Sequence, residues 1–337
     1  MAVKSLAIKY RPQNFTDVVE QGATKTILEQ QLQNNEVKNA YLFCGGAGTG
    51  KTTCARIFAN EINKGQGNPI EMDAASNNSV EDVRLIIQQA KTKSLDSEYK
   101  VFIIDECHSL SNTAWQAMLK LIEEPPVKSI FIFATTDPQK IPKTILSRVQ
   151  RYDFQRISYK GILDRLSYVL ESEGISFEHD SIAYIAKLAD GGMRDSLTML
   201  DKCIAYGELT LVNVVKALGT ANYDTMFNLT EYIYNHEVAN IIETIENIHQ
   251  QGLDLKQFIN QYMNFTLDVC KYRYMKNMDY IQIPNNYEHE LEILDNDQMN
   301  FCSQLLSTLI NLKADIKWDS SPKFMIEAVL IQESGEV

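Results

Sequence analysis

Residues 45–53 read Gly-Gly-Ala-Gly-Thr-Gly-Lys-Thr-Thr and follow the apolar run Tyr41-Leu42-Phe43-Cys44. They satisfy G-x-x-x-x-G-K-[ST] in the setting that motif needs, between a strand and a helix. Glycines bring backbone N–H groups close enough to surround phosphate oxygens, and a helix N-terminus adds partial positive charge. Gly45, Gly48, Thr49, Gly50 and Thr53 therefore read as the cradle. Lys51 reads as the β/γ-phosphate ligand and Thr52 as a magnesium ligand. A chain with this loop is committed to an α/β layer in which strands and helices alternate.

That alternation is present through the first half. Apolar runs predict strands at 40–44, 69–72, 100–104, 129–135 and 151–154, and helical patterns predict helices at 16–33, 51–62, 80–92 and 112–123. Val101-Phe102-Ile103-Ile104 and Ile130-Phe131-Ile132-Phe133 are apolar on both faces, which suits a parallel sheet covered by helices on either side. Ser79 and Ser111 read as helix N-caps, and Pro125-Pro126 as a stop. From about residue 158 the strand signal ends and helical periodicity continues to 332, with a long loop expected at 279–290. The expected organisation is an α/β P-loop domain over 1–157, a helical lid over 158–220 and a helical collar over 221–337.

The strand at 100–104 runs into Asp105-Glu106. Asp105 would orient Mg²⁺ and Glu106 would accept a proton from the attacking water. His108 reads as structural or surface. The strand at 129–135 runs into Thr136, whose hydroxyl would sit beside a γ-phosphate. Arg148 follows Ile145-Leu146-Ser147, and Arg194 follows Gly191-Gly192-Met193 at a helix start.

Net charge is −12, but residues 1–160 carry 20 basic and 17 acidic side chains (+3) and residues 161–337 carry 12 and 27 (−15). Phosphate binding is thus expected in the first half and protein contacts in the second. The six cysteines form no C-x-x-C pair, which fits a reducing compartment better than a disulfide framework. No apolar run reaches membrane-span length, and residues 1–6 lack the core of a secretory signal.

Taken together, Lys9-Tyr10-Arg11-Pro12, Phe15-Thr16-Asp17-Val18-Val19, the phosphate loop, Asp73-Ala74-Ala75-Ser76, Ile104-Asp105-Glu106-Cys107-His108, residues 119–126, residues 134–148 and residues 191–196 resemble the AAA+ clamp-loader ATPases, and among them the bacterial polymerase III gamma/tau branch. The resemblance covers residues 7 to about 200 and is faint beyond 220. It implies that Arg11, Pro12 and Val19 border the nucleotide base, with Met193 closing from the lid. Thr136 would be sensor 1, Arg194 sensor 2, and Arg148 an arginine finger acting on a neighbouring subunit's ATP. Arg84, Lys120, Lys140 and Thr144 match positions that hold DNA phosphates.

The implied cofactors are ATP and Mg²⁺. The implied partners are a sliding clamp, primer–template DNA, opener and stator subunits, and further copies of the chain in a pentamer, in a bacterial cytoplasm (host- or phage-encoded), with no membrane. Three departures stand out. The interval 61–68 is too short for the family's four-cysteine zinc module, so no zinc is expected. Asn77 and Ser79 replace more basic residues, and Glu20 replaces a usual glycine, which would alter the chain's path near the base. The end at Val337 fits a gamma-like short form, a truncated chain, or a minimal version from a compact genome such as a phage's. The apolar stretch 324–331 reads equally as core or as collar interface. Rival readings are another AAA+ machine, such as a helicase loader or branch-migration motor, and a non-hydrolysing scaffold. The second expects a degraded phosphate loop.

Overall fold

The structure is a computed structural model and describes residues 4–94, 96–219 and 223–335. The expected lid–collar boundary at 220–221, like the extreme N-terminus, lies outside the described residues. The chain divides into two compact units, Met1–Glu173 with Ala189–Thr198, and Gly174–Leu188 with Met199–Val337.

In the first unit α1 (Leu6–Lys9) and α2 (Gly22–Gln33) precede β1 (Ala40–Gly45). Then come α3 (Lys51–Ile62), β2 (Ile70–Asp73), α4 (Val80–Ala90), β3 (Lys100–Asp105), α5 (Asn112–Glu123), β4 (Ser129–Thr135), α6 (Lys143–Leu146), β5 (Gln150–Phe154) and α7 (Tyr159–Glu173). The five strands form one parallel sheet in the order β2-β3-β4-β1-β5. Alternate residues serve opposite faces. Leu42, Phe102, Ile104, Phe131 and Phe133 pack against Val83, Ile86, Trp115 and Met118 of α4 and α5. Tyr41, Phe43, Ile103, Ile132 and Tyr152 pack against Leu28, Cys54, Ile57 and Phe58 of α2 and α3. Burial on both faces accounts for the continuous apolar runs of β3 and β4.

Local chemistry sets the helix starts. The Ser79 hydroxyl accepts from the Asp82 N–H while the Asp82 carboxylate accepts from the Ser79 N–H, a capping box. Ser111 accepts from the Ala114 N–H. The helix expected over 16–33 is instead a 3₁₀ turn, Phe15–Asp17, and α2. The break is at Glu20 and Gln21, whose φ values of +55° and +52° are incompatible with a continuing right-handed helix.

The second unit is helical. It contains α8 (His179–Leu188), most of α9 (Met193–Tyr206), α10 (Leu211–Leu218), α11 (Tyr223–Tyr234), α12 (Val238–Gln250), α13 (Leu255–Met275), α14 (Glu288–Ile293), α15 (Asn296–Ile316) and α16 (Pro322–Glu333). The long helices α13 and α15 pack together, and α16 lies against α12 and α15. Phe258, Tyr262, Leu305, Leu309, Ile326 and Leu330 are fully buried there. The stretch expected as a loop at 279–290 carries 3₁₀ turns and the start of α14, whose Glu288 and Glu290 favour the positive end of the helix. Buried Asp268 accepts from the Gln282 N–H at 2.6 Å, and Lys187 donates to the Ile283 carbonyl at 2.8 Å, so side chains pin the stretch.

Candidate nucleotide site

Sheet order decides what can meet. In a parallel α/β sheet the loops at the carboxyl ends of the strands share one edge. Here β4 separates β1 from β3, so Thr135-Thr136 emerges between the phosphate loop and Asp105-Glu106. Gly45 pairs with Phe154 of β5, and a Cβ on Gly45 would lie 2.4 Å from the Phe154 carbonyl oxygen. Gly48 (φ +68°) lies against the start of α9, where a Cβ would stand 3.0 Å from the Gly192 Cα. The Met193 N–H donates to the Gly48 carbonyl at 3.1 Å. The phosphate loop and the first turn of α9 are thus in backbone contact.

Lys51 is buried, and its ammonium donates to the Gly46 and Gly45 carbonyls at 2.7 and 2.9 Å. Burial pulls its pKa below the usual lysine value, against the opposing charges of Glu106 and Asp105. The Thr52 hydroxyl donates to Asp105 Oδ2 at 2.7 Å. Glu106, at φ +45°, accepts from the Thr136 hydroxyl at 3.0 Å and lies 3.3 Å from His108 Nδ1. His108 Nδ1 is also 3.1 Å from the Thr135 hydroxyl. His108 therefore reaches the Glu106 carboxylate, a placement its sequence neighbours do not announce.

A cavity of about 290 Å³ unites most of the expected residues. Arg11, Pro12, Val19, Gly48, Thr49, Gly50, Lys51, Thr52, Thr53, Asp105, Glu106, Met193 and Arg194 all line it. Gly45 lies beneath the loop, and Thr136 reaches the site through Glu106. Sequence reading missed Tyr10, Ile157 and Arg165 in the wall. Arg165 donates to the Tyr10 carbonyl at 3.0 Å and stacks over Tyr168. Mid-helix in α7, it carries no motif signal.

Other expected residues lie elsewhere. Arg148 is outside this cavity and donates to Glu123 at 2.8 Å and to the Thr144 carbonyl at 2.8 Å. Arg84, Lys120, Lys140 and Thr144 sit on or beside α4, α5 and α6; α5 packs against both α4 and α6. Arg84 pairs with Glu81 and Lys140 with Asp137. Asn77 donates to the Asp73 carbonyl and Ser79 caps α4, so both positions are occupied by local structural work.

A parallel sheet of this order, a phosphate loop on β1, paired carboxylates on β3 and a helical segment carrying Arg194 define an AAA+ P-loop ATPase module. Comparison with known proteins narrows the class. Residues 69–158 match the family described as DNA polymerase III, delta subunit. Residues 161–209 match the DNA polymerase III clamp loader subunit ATPase lid domain, and 209–332 match DNA polymerase III subunits gamma and tau domain III. The chain belongs to the family of bacterial DNA polymerase III gamma/tau subunits.

It is 33% identical to the Bacillus subtilis DNA polymerase III subunit tau, over 98% of this chain and 63% of that protein. It is 28% identical to DNA polymerase III subunit gamma of Buchnera aphidicola from Schizaphis graminum, over 100% of this chain and 99% of that protein. It is 39% identical to the Haemophilus influenzae tau/gamma subunit, over 64% of this chain and 34% of that protein. The chain thus spans less than two thirds of two of these three relatives. Among solved structures, the Thermotoga maritima RuvB Holliday junction branch migration motor superposes with a TM-score of 0.53 at 17% identity, over 82% of this chain and 99% of that one. That likeness shows the fold. No helix among the described residues is long and apolar enough to cross a membrane.

Proposed function

We propose that the chain is the ATP-hydrolysing motor subunit of a sliding-clamp loader, working in a bacterial cytoplasm. One observation carries the ATPase part. The Thr52 hydroxyl stands 2.7 Å from Asp105, and both line the cavity that holds Lys51 and Glu106. These hard oxygen donors suit Mg²⁺, which binds few protein groups and takes the rest from phosphate and water. Among the described residues no cluster of three His, Cys, Asp or Glu could cage an ion alone, in keeping with a metal that arrives with nucleotide. Mg²⁺ would neutralise charge on the phosphates.

Arg11, Pro12, Val19 and Met193 would flank the base, and Lys51 and Arg194 the terminal phosphates. Glu106 would take a proton from water as that oxygen bonds to the γ-phosphorus and the bridging bond to the β-phosphate breaks, leaving ADP and phosphate. Thr136 would hold Glu106 and sense the γ-phosphate. Placement of Arg148 outside its own cavity supports a role as a finger on the next subunit, worth about 10³ to 10⁵ in rate in such enzymes. Arg84, Lys120, Lys140 and Thr144, on neighbouring elements, would hold primer–template phosphates without reading sequence. The second half would supply lid (158–220) and collar (221–337) for a pentamer with opener and stator subunits.

The test is steady-state ATP hydrolysis by wild type and Arg148→Ala, assembled with opener and stator subunits, with and without clamp and primed DNA. Low basal turnover, strong stimulation by clamp plus DNA and its loss in the variant are expected. Hydrolysis indifferent to the clamp and to Arg148 in an assembled complex would overturn the loader reading.

A further inference from the structure

Glu20 and Gln21 are successive residues at φ +55° and +52°, a conformation that side chains other than glycine enter only at a cost. Their side-chain bonds hold the chain there. Both Glu20 carboxylate oxygens accept from the Ser158 N–H, at 3.1 and 3.3 Å, and Oε1 also accepts from the Ser158 hydroxyl. That hydroxyl accepts in turn from the Gly161 N–H at 3.0 Å, in the first turn of α7. Gln21 is buried and bonds the Gln155 backbone both ways, donating to its carbonyl at 2.7 Å and accepting from its N–H at 3.1 Å. Its amide also donates to the Thr49 carbonyl in the phosphate loop at 3.4 Å.

These bonds enclose one wall of the nucleotide cavity. Val18 and Val19 precede the pair, Ile157 lies between its two anchor points, and all three line the cavity. Packing at the anchor is close. A Cβ on Gly161 would stand 2.7 Å from Glu20 Oε1 and 3.2 Å from Val19 Cγ1. A carboxylate at the first turn of α7 also meets the positive end of that helix.

We propose that Glu20 is a positioning residue for nucleotide, fastening the base-side segment 18–21 to the start of α7 while Gln21 fastens it to the phosphate loop. The proposal rests on the ATP-site reading. Glu20 touches no reacting atom; it sets where Val18, Val19 and Ile157 stand. Removing its carboxylate lets the base-side wall relax away from α7 and weakens ADP and ATP alike.

The test separates carboxylate from backbone. Affinity for a fluorescent ADP analogue and for ATP is measured on the whole chain as wild type, Glu20→Gly, Glu20→Gln and Lys51→Ala, alongside melting temperature and amide exchange of residues 158–161. Glu20→Gly keeps the left-handed path without strain. It is expected to raise both dissociation constants about tenfold, the equivalent of one hydrogen bond to a charged group, and to speed exchange at 158–161. Glu20→Gln keeps an acceptor for Ser158 and is expected to stay within about threefold of wild type. Wild-type affinity in Glu20→Gly would overturn the proposal, since backbone path alone would then suffice. Wild type that binds neither nucleotide would remove the ATP reading itself, whereas loss confined to Lys51→Ala leaves that reading standing and rejects only the role of Glu20.

Discussion

Two adjacent glycines of the phosphate loop should respond very differently to the same methyl group. At Gly45 an added Cβ lies 2.4 Å from the Phe154 oxygen, 2.9 Å from its Cβ and 3.2 Å from its carbonyl carbon. Most of these are backbone atoms of the paired strand, so no rotamer change relieves them. Ordinary contact begins at 3.4 Å, so restoring it requires β5 to move from β1 by about 1 Å or more at its end. Overpacking of this kind costs about 1–3 kcal/mol, and each ladder bond stretched or lost adds about 1 kcal/mol. A total of about 2–4 kcal/mol follows, or roughly 5–15 °C in melting temperature for a unit of this size. At Gly46 the same Cβ meets only Thr49 Cγ2, at 3.7 Å, an ordinary contact. Thermal melts of Gly45→Ala and Gly46→Ala, each with a urea titration, measure the difference. Melting temperatures within 2 °C of one another would refute the claim that the β1–β5 contact limits the loop. Because Gln155 follows β5 and is held by Gln21, Gly45→Ala should also weaken nucleotide binding, and Gly46→Ala far less.

Ser79→Ala removes the acceptor of the α4 capping box and should cost about 1 kcal/mol in a urea melt. His108→Ala removes one of two side chains beside the Glu106 carboxylate; steady-state kinetics should show kcat down about three- to tenfold with KM for ATP unchanged, the signature of an effect on the reacting group alone. Burial raises the Asp268 pKa from its ordinary 3.8, against the Gln282 N–H and Lys271. A raised folded value means that this group contributes stability at low pH and loses it as pH climbs through that value. The stability of Asp268→Asn relative to wild type should therefore rise with pH above 3.8 and level once Asp268 is ionised, as a series of melts would reveal. Burial pushes the thiols of Cys44 and Cys203 to about 11 and those of Cys54 and Cys302 to about 12, and raises Cys107 too. Brief alkylation of native protein at pH 8 followed by mass spectrometry should mark Cys270, the half-buried one, ahead of the other five.

What was legible in the sequence was whatever nearest neighbours determine. The five strands, the caps at Ser79 and Ser111, and the phosphate loop each depend on a few consecutive residues, and the structure places them within about two residues of expectation. The helix drawn through residues 16–33 failed because apolar spacing cannot register two left-handed residues held by partners over 130 positions away, at Gln155 and Ser158. Arg165 went unseen for the same reason: its partner, the Tyr10 carbonyl, is 155 positions upstream. Glu20 was visible only as an unusual residue; its bond to Ser158 exists only after α7 has docked. The pinned stretch at 279–290 read as loop because Asp268 and Lys187 supply its order from other helices.

The strand order also has a consequence for synthesis. Ala40 of β1 is in register with Phe131 of β4, and Tyr41 with Gln150 of β5. Those separations are 131 − 40 = 91 and 150 − 41 = 109 residues. The strand that carries the phosphate loop is therefore made first and paired last. At about 5–20 residues per second it waits roughly 5–18 s for β4 alone, an apolar edge exposed throughout. Until then the proposed ATP site is not assembled, so on that reading nucleotide can stabilise the finished domain but cannot template it. A nascent chain of this protein should thus be most dependent on chaperones before residue 154 has left the ribosome, and abruptly less so after.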